Sequence, residues 1–370
     1  MRRIVTAVAV CASAGCFRPA APVGAVCDPA APSCPDGQVC RNSAAGATCQ
    51  LPGGGGDDLD GPPSPPVDTA PGAFAYVQLA NGWSVDLHRD LSDAIAFNAA
   101  DFVDGPETYD NAPDWVFALE APFATGLGVV AGRRILEVAS GGVTVHDFGQ
   151  HPPNSPKQAD DLRSATQITF RGVPMVIAMS SSANGGDGLF TISPDWQIEI
   201  SNIENNVRGA AFDRMGAFDA RGVAEIYLGT DHGIVRDSDD AVITTGDNQT
   251  LRVVGSDLLF VRTSAAGDQL VRLASVSHAE AMFAARKRIR LVEGTPREPY
   301  LAWAIVNDKQ LARVTPAGEL EVVAETSDPA FVWQAAVEPR AAHALAGAVY
   351  VLESNRGLDL DRVLVLREAP

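Results

Sequence analysis

Residues 301–323 read LAWAIVNDKQLARVTPAGELEVV, and this stretch decides the fold class. An apolar run at 301–306 ends in the turn-forming residues 308–310, and Leu311 follows. A second turn at 315–318 leads to another apolar run at 320–323. Apolar runs of this length that are bounded by Gly, Asp and Pro are typical of strands and hairpins. The stretch therefore predicts a meander of antiparallel strands with two tight turns.

The same arrangement recurs along residues 74–370, which we take as one domain. A turn followed by an apolar pair occurs six times, at residues 132–136, 187–190, 231–235, 268–271, 308–311 and 355–358. A second turn follows most of these, at residues 140–142, 193–195, 237–239 and 315–318. The units recur at intervals of about 35–55 residues, close to the size of a β-propeller blade. We therefore predict an all-β, six-bladed β-propeller.

Two other architectures remain open at this point. A seven-bladed ring is possible because residues 83–119 are long enough to contain a further unit. A β-sandwich is the second alternative, although it gives no reason for six similar units. Residues 74–79 have no blade of their own, and the last unit lacks a strand. We therefore predict that residues 74–79 pair with the C-terminal unit and close the ring. Helical periodicity is poor, and residues 279–290 are the best helix candidate.

The N-terminus has the features of an export leader. Arg2 and Arg3 precede a short apolar segment at 4–14, which is too short to cross a bilayer as a helix. The sequence Ser-Ala-Gly-Cys at 13–16 resembles the lipobox of bacterial lipoproteins, although that family usually has Leu where this chain has Ser13. The resemblance implies a signal peptide at 1–15 and a lipid on Cys16. Cleavage after Ala14 by ordinary signal peptidase is the alternative, and it would give a secreted protein.

The cysteine count favours the lipoprotein interpretation. Cys11 leaves with the leader, and lipidation of Cys16 leaves an even number of cysteines that can pair. Cleavage after Ala14 would instead leave an unpaired thiol in an oxidising compartment. In lipoproteins an Asp after the lipidated Cys favours the inner membrane. This chain has Phe17 there, so the resemblance implies a cell-envelope protein of the outer membrane.

Residues 16–50 form a cysteine-rich module after the anchor. Its remaining four cysteines stand in a segment with too little apolar material for a core, so two disulfides are expected among Cys27, Cys34, Cys40 and Cys49. Three pairings remain open. Zinc is the rival, but its thiolate sites usually have closer spacing. The sequence CPDGQVC at 34–40 resembles short modules of myxobacterial surface lipoproteins. Residues 51–73, rich in Gly, Pro and Asp, form a solvated linker.

The formal net charge of −18 argues against two classes of partner. An acidic surface repels phosphate backbones, so we expect no nucleic-acid partner. It also repels anionic headgroups, so we expect contact with the membrane through the lipid anchor only.

Side chains that could carry chemistry are sparse. His146 and His151 are the only histidines close together, and two ligands are fewer than a metal site needs, so neither a metal nor another cofactor is predicted. The chain lacks the GxSxG and HExxH motifs, and no catalytic residue can be assigned. Among the tryptophans, Trp303 and Trp333 lie in apolar runs and are expected in the core, whereas Trp196 lies in a turn and is expected to be exposed.

These observations favour a binding or scaffold propeller over an enzyme. Its partner would be an unidentified protein or carbohydrate at the cell surface. The alternative is a propeller enzyme of the lyase, lactonase or sugar-oxidising type, with its site at the mouth of the central channel. Converging carboxylates and histidines with shifted pKa values at that mouth would favour an enzyme. A channel lined by small apolar residues would favour a scaffold.

Overall fold

The computed structural model divides into two compact units, residues 1–64 and 65–370. In the first unit, β1 (Val39–Ser43) and β2 (Gly46–Gln50) form an antiparallel hairpin in which Cys40 stands opposite Cys49. The predictions for Cys16, Cys27, Cys34 and the linker fall outside the described residues. The structure describes residues 39–43, 46–50, 74–95, 113–148, 161–170, 172–181, 187–203, 207–213, 218, 224–275, 277, 279–286, 288–294, 296–355, 357–358 and 360–369.

The second unit consists almost entirely of strands, with one four-residue helix in its described part. The first elements are β3 (Val77–Leu79), β4 (Trp83–Asp90), α1 (Ser92–Ile95), β5 (Pro113–Leu119), β6 (Gly126–Ala131), β7 (Arg134–Ala139) and β8 (Gly142–Asp147). The next are β9 (Asp161–Phe170), β10 (Val173–Ser181), β11 (Asp187–Ile192), β12 (Ile198–Ile203), β13 (Val207–Asp213), β14 (Glu225–Thr230), β15 (Gly233–Arg236) and β16 (Ala241–Thr245). The last are β17 (Asn248–Val254), β18 (Asp257–Ser264), β19 (Gly267–Leu273), β20 (Glu280–Arg286), β21 (Ile289–Val292), β22 (Ala302–Val306), β23 (Gln310–Val314), β24 (Leu320–Thr326), β25 (Val332–Val337), β26 (Val349–Asn355) and β27 (Leu360–Glu368).

These strands form six antiparallel sheets, which we number as blades in chain order. Blades 1 to 4 are β5–β8, β9–β12, β13–β16 and β17–β20. Blade 5 is β21–β24 with β3 added, and blade 6 is β25–β27 with β4 added. The first strand of each blade lies innermost. β13, β17, β21, β25, β5 and β9 contact one another in that order, and β13 contacts β10 and β11 of blade 2, so that the contacts run around a ring. The six-bladed propeller is thus confirmed, and residues 83–119 supply β4 and β5 rather than a seventh blade.

The predicted turns lie between successive strands of a blade. In blade 5 the turn after β22 places Asn307 and Asp308 at φ values of 52° and 56°, and Lys309 donates its backbone N–H to the carbonyl of Val306 over 3.1 Å. Asn and Asp tolerate this left-handed conformation better than most residues, and it suits the twist of a two-residue hairpin. The second turn uses Gly318, whose φ is 80°. The Asn, Asp and Gly residues of the repeat are therefore explained by backbone geometry.

The apolar core lies between blades rather than in one central mass. Buried clusters join blades 2 and 3, blades 3 and 4, blades 4 and 5, and blades 5 and 6, and a larger cluster joins blades 6, 1 and 2. Trp303 and Trp333 are 1% and 0% exposed, as expected, and they belong to the cluster between blades 5 and 6. Because each blade buries its two faces against its neighbours, the blades stabilise one another.

The prediction for the closing strand was wrong. β4 pairs with β27, from Trp83 opposite Glu368 to Asp90 opposite Arg362, and completes blade 6. Residues 74–79 instead contribute β3, which pairs with β24 at the outer edge of blade 5. The alternation of apolar and polar residues in β4 suits a strand with one face on the core, whereas β3 is only three residues long. The longer strand therefore closes the ring.

Residues 279–290, the best helix candidate from sequence, contribute strands instead. Glu280–Arg286 form β20, the outer strand of blade 4, and Ile289–Val292 form β21, the innermost strand of blade 5. In β20 Met282 is 66% exposed, as an outer strand allows, whereas Ile289 and Leu291 in β21 are fully buried. Tertiary pairing overrides the local preference of the Ala-rich sequence.

We expect the ring to tolerate loss of β3 but not loss of β4. A chain shortened to begin at Gly82 keeps the closing strand and should fold with a melting temperature lowered by several degrees. A chain shortened to begin at Leu91 exposes the edge of β27 and the apolar residues beneath β4, so it should aggregate or lose cooperative unfolding. Circular dichroism and light scattering measure both outcomes. Equal folding of the two chains would contradict closure by β4.

Candidate functional site

A cavity of about 860 Å³ opens where the innermost strands end. Successive innermost strands run in the same direction through the ring, so their last residues meet at one mouth of the central channel. The cavity is lined from all six blades, and representative lining residues in blade order are Ala118, Thr166, Ala210, Arg252, Glu293 and Glu338. Its volume is within the range of small-molecule sites.

Glu293 extends across this channel. It follows β21 in blade 5, and its Oε1 accepts a hydrogen bond of 3.1 Å from the hydroxyl of Thr166 on β9 in blade 2. Blades 2 and 5 are three positions apart in a ring of six, so this contact joins opposite sides. Glu293 is held by its backbone as well, because it forms an isolated bridge with Val337 of blade 6. The carboxylate is therefore fixed near the channel axis.

Arg252 extends from blade 4 toward Trp115 of blade 1, on the opposite side of the ring. It lies on β17 in blade 4, and its Nε and Nη1 donate to the carbonyls of Val292 and Leu251 over 3.0 and 2.8 Å. Its guanidinium carbon lies 5.5 Å from the ring centroid of Trp115 in blade 1, within the range of a cation–π contact. The indole N–H of Trp115 donates to the carbonyl of Ala165 over 2.8 Å. The guanidinium is therefore held in one orientation.

Among the residues that the structure describes, one atom of each of these two side chains has no hydrogen-bond partner. Arg252 Nη2 and Glu293 Oε2 have almost no exposed surface and no hydrogen-bond partner among the described residues. Leaving a buried polar atom unpaired costs about 1–3 kcal/mol, and more for a charged group. Arg252 and Glu293 both line the cavity, at the part that we call its floor, and one donor and one acceptor there are left unused by the described residues.

The electrostatic environment of the floor shifts the pKa of both groups. Burial raises the pKa of Glu293 from 4.5 to about 7, and the nearby Glu120 adds to this, whereas Arg252 and the hydrogen bond from Thr166 oppose it. Burial likewise lowers the pKa of Arg252, and Glu293 opposes that shift. Glu293 can therefore hold or release a proton near neutral pH, while the guanidinium stays charged.

Two further glutamates, Glu120 and Glu338, line the cavity. Glu120 is positioned through its backbone, because its N–H donates to Gln167 Oε1 over 2.6 Å and its carbonyl accepts from Gln167 Nε2 over 3.0 Å. Burial raises the pKa of Glu338, and the hydrogen bond from Trp303, 2.7 Å long, opposes this shift. Acidic and basic side chains thus alternate around the cavity, with Arg297 exposed at its rim.

His146, the described member of the histidine pair that was considered as a metal site, is not among the residues that line this cavity. His146 is stacked on Trp196 with ring centroids 3.9 Å apart, and its Nε2 lies 2.9 Å from Glu137 Oε2; His151 is outside the described residues. In the described ranges no group of three or more His, Cys, Asp or Glu side chains could hold a metal ion. Trp196 is half-buried between His146 and Phe123, so the prediction that it is exposed was wrong.

Arg252, Glu293 and Thr166 were not predicted from the sequence. The two charged residues have one sequence signal, a single charge beside apolar strand residues, as in Leu-Arg-Val-Val at 251–254 and Leu-Val-Glu-Gly at 291–294, and Thr166 has none. Surface positions give the same pattern. Among the described residues, no helix is both long enough and apolar enough to cross a membrane.

Comparison with known proteins adds information about the backbone only. No protein-family model matches the chain, and no curated protein matches it. A putative oxidoreductase (glucose dehydrogenase) of Thermus thermophilus is 13% identical, with 77% of this chain and 100% of that chain covered and a TM-score of 0.45. An auxiliary nutrient binding protein of Bacteroides thetaiotaomicron is 8% identical, with 70% of each chain covered and a TM-score of 0.46. The Dos1 propeller is 11% identical, with 70% and 68% covered and a TM-score of 0.41. Values this low say nothing about ligand or reaction.

Replacing Glu293 by Gln tests the buried carboxyl group. Between about pH 4.5 and 7 the folded chain keeps a proton that the unfolded chain has lost, so this group lowers the free energy of unfolding as the pH rises. The amide does not titrate, so E293Q lacks this loss. Between pH 5 and pH 8 the free energy of unfolding of E293Q should therefore rise by about 1–2 kcal/mol relative to that of the unsubstituted protein. Thermal unfolding across this range measures the difference.

Glu321→Gln is the matched control for this measurement. Glu321 is exposed and accepts a hydrogen bond of 2.8 Å from the hydroxyl of Tyr300, outside the channel. Its replacement should leave the pH dependence of stability unchanged. If E293Q and E321Q gave the same pH dependence, Glu293 would not have the raised pKa.

Proposed function

We propose that this protein is an exported, lipid-anchored cell-envelope protein whose propeller binds a small polar solute in the central channel. The observation that carries the binding role is the cavity floor, where Arg252 Nη2 and Glu293 Oε2 are both buried and unpaired. A solute that paired with both atoms would recover the free energy that their burial costs. Binding would therefore be strongest for a ligand that reaches the floor.

A scaffold role without a ligand would not need these side chains. Charged groups deep in a protein cost desolvation free energy, and they are weak evidence of a contribution to stability. A plain scaffold ring could fill its channel with small apolar residues, which line only part of this cavity. The charged floor therefore supports a ligand site over a scaffold, while the identity of a protein or carbohydrate partner at the surface remains a proposal.

An acid–base enzyme is the second candidate, and Glu293 is the observation that favours it. A carboxyl group with a pKa near 7 can act as a general acid or base at neutral pH, and Glu120 stands nearby as a second carboxylate. Such a site would suit proton-transfer chemistry of the lyase type. The E293Q variant distinguishes the two functions. Its amide can still form hydrogen bonds to a ligand but cannot transfer a proton, so binding would persist while catalysis would be lost.

The anchor and compartment rest on the N-terminal sequence. Arg2 and Arg3, the apolar segment 4–14 and the Ser-Ala-Gly-Cys sequence ending at Cys16 support export and lipidation. Phe17 after the cysteine supports the outer membrane, and residues 51–73 would act as a tether. The binding cavity would then be held at the cell envelope, where small solutes arrive from outside.

The channel site is tested by ligand-observed saturation-transfer NMR on the full chain with a mixture of small polar solutes. We expect at least one solute to receive saturation from the unsubstituted protein and to lose it in Arg252→Met. Arg236→Met is the matched control, because Arg236 pairs with Asp239 on the outer part of blade 3. If R236M and R252M weakened binding equally, the binding site would lie outside the channel. Absence of binding by every solute would contradict the function.

Mass spectrometry of the protein purified from its native host, or from a bacterial host that processes lipoproteins, tests the N-terminal proposals. We expect a mature chain that begins at Cys16 with a lipid attached, and Cys16→Ala should move the protein from the membrane to the soluble fraction. Peptide mapping without reductant should join Cys40 to Cys49, whose opposite register positions suit a disulfide, and Cys27 to Cys34. A membrane-bound C16A protein would contradict the anchor, and four free thiols would contradict the disulfides.

A further inference from the structure

We propose that the solute bound in the channel is a neutral polyhydroxylated molecule, of the size of a mono- or disaccharide, with a hydroxyl group between Arg252 and Glu293. This inference rests on the proposed function and adds the chemical class of the ligand. It is argued from the unpaired atoms, the charges that surround them and the lining of the cavity.

The charges at the floor disfavour an ionic ligand. An anion that reached Arg252 would also approach Glu293 and Glu120, and its repulsion by these carboxylates would offset the attraction of the guanidinium. A cation that reached Glu293 would meet Arg252, and Arg297 stands at the rim. Because acidic and basic side chains lie close together here, the electrostatic free energy of binding is least unfavourable for a neutral ligand.

The unpaired atoms define what a neutral ligand must offer. Arg252 Nη2 requires an acceptor, whereas Glu293 Oε2 accepts a hydrogen bond when ionised and can donate one when protonated. A hydroxyl group meets both states, because one oxygen can accept from Arg252 and either donate to or accept from Glu293. An amide group fits less well, because it must turn its N–H toward the ionised carboxylate and its carbonyl toward the protonated one, whereas one hydroxyl oxygen serves both states in the same position. The floor therefore selects for hydroxyl groups.

The rest of the cavity suits several hydroxyl groups on one molecule. Its wall combines hydrogen-bonding side chains on different blades with small apolar residues. Thr166, Glu120 and Glu338 supply donors and acceptors at separate positions, while Ala118 and Ala210 offer surface to C–H groups. A volume of about 860 Å³ accommodates one or two sugar rings.

The test is isothermal titration of the full chain with matched sugars of different charge. The probes are glucose, galactose, mannose and xylose and their common disaccharides as neutral ligands, glucuronate as the anion, glucosamine as the cation and glucuronamide as the amide. We expect the tightest binding from a neutral sugar, with an affinity that changes less than about threefold between pH 6 and pH 8, because a hydroxyl group pairs with Glu293 in either state.

Variants at the floor add a second measurement. Arg252→Met should weaken the tightest neutral sugar about tenfold or more, as should Glu293→Leu, whereas Glu293→Gln keeps an acceptor and a donor and should stay within about threefold. Arg236→Met and Glu321→Gln should leave the affinity unchanged. Thermal unfolding of each variant establishes that it is folded, and E293Q, which keeps the shape of the side chain, remains informative if E293L does not fold.

The outcomes separate this inference from the function it rests on. Tightest binding of glucuronate, with affinity falling as the pH rises, would overturn the neutral class. Tightest binding of glucuronamide, with affinity rising with pH, would overturn the hydroxyl group as the group at the floor. Either result would leave a channel ligand site in place. Tightest binding of glucosamine would overturn the neutral class in the same way. If no sugar bound while another solute of the NMR mixture did, the class would again be wrong. If no solute bound at all, both proposals would fail.

Discussion

The ring depends on a pairing between residues near the two ends of the domain. β25, β26 and β27 leave blade 6 one strand short, and β4, which comes about 270 residues earlier than β27, completes it. Until this strand is in place, blade 6 has an open edge, and Leu87 and Val85 have no core to join. The other blades depend on this pairing indirectly, because each buries its faces against its neighbours. The channel site depends on it as well, since opposite blades must face each other before Glu293 can reach Thr166.

The repeat could be predicted from sequence because its turns need particular residues. Asp, Asn, Gly and Pro mark most of the hairpins, and Asp, Asn and Gly occupy nearly all of the described positions with a positive φ, Trp196 being the exception. The innermost strands were harder to find. β17 and β21 are covered by blades on both sides and end in the polar channel, so their sequences lack simple alternation. β4 was not predicted as the closing strand, because residues 74–79 before it are more apolar and fit a strand pattern better.

The site was beyond sequence reasoning for a different reason. Arg252 and Glu293 are 41 positions apart and lie in adjacent blades, and the groups that orient them, Trp115 and Thr166, come from the opposite side of the ring. A single charge at the end of an apolar strand is common on surfaces. The pKa of Glu293 depends on how much water the ring excludes, which no local pattern encodes. Only closure of the ring gives these residues their chemistry.

The short strand β3 has a mechanical consequence. Tyr76 donates its hydroxyl proton to Glu353 over 2.7 Å and stacks on Phe331 with ring centroids 4.3 Å apart, and Arg362 covers both rings. Any tension that reaches the domain through the chain before residue 74 meets this cluster and the three ladder residues of β3 before it reaches β4. Detachment of β3 would lengthen the chain and relieve the load while the closing strand stays paired. Under such a load the contacts of Tyr76 and the pairing of β3 with β24 would break first, and the closing pair of β4 and β27 would remain.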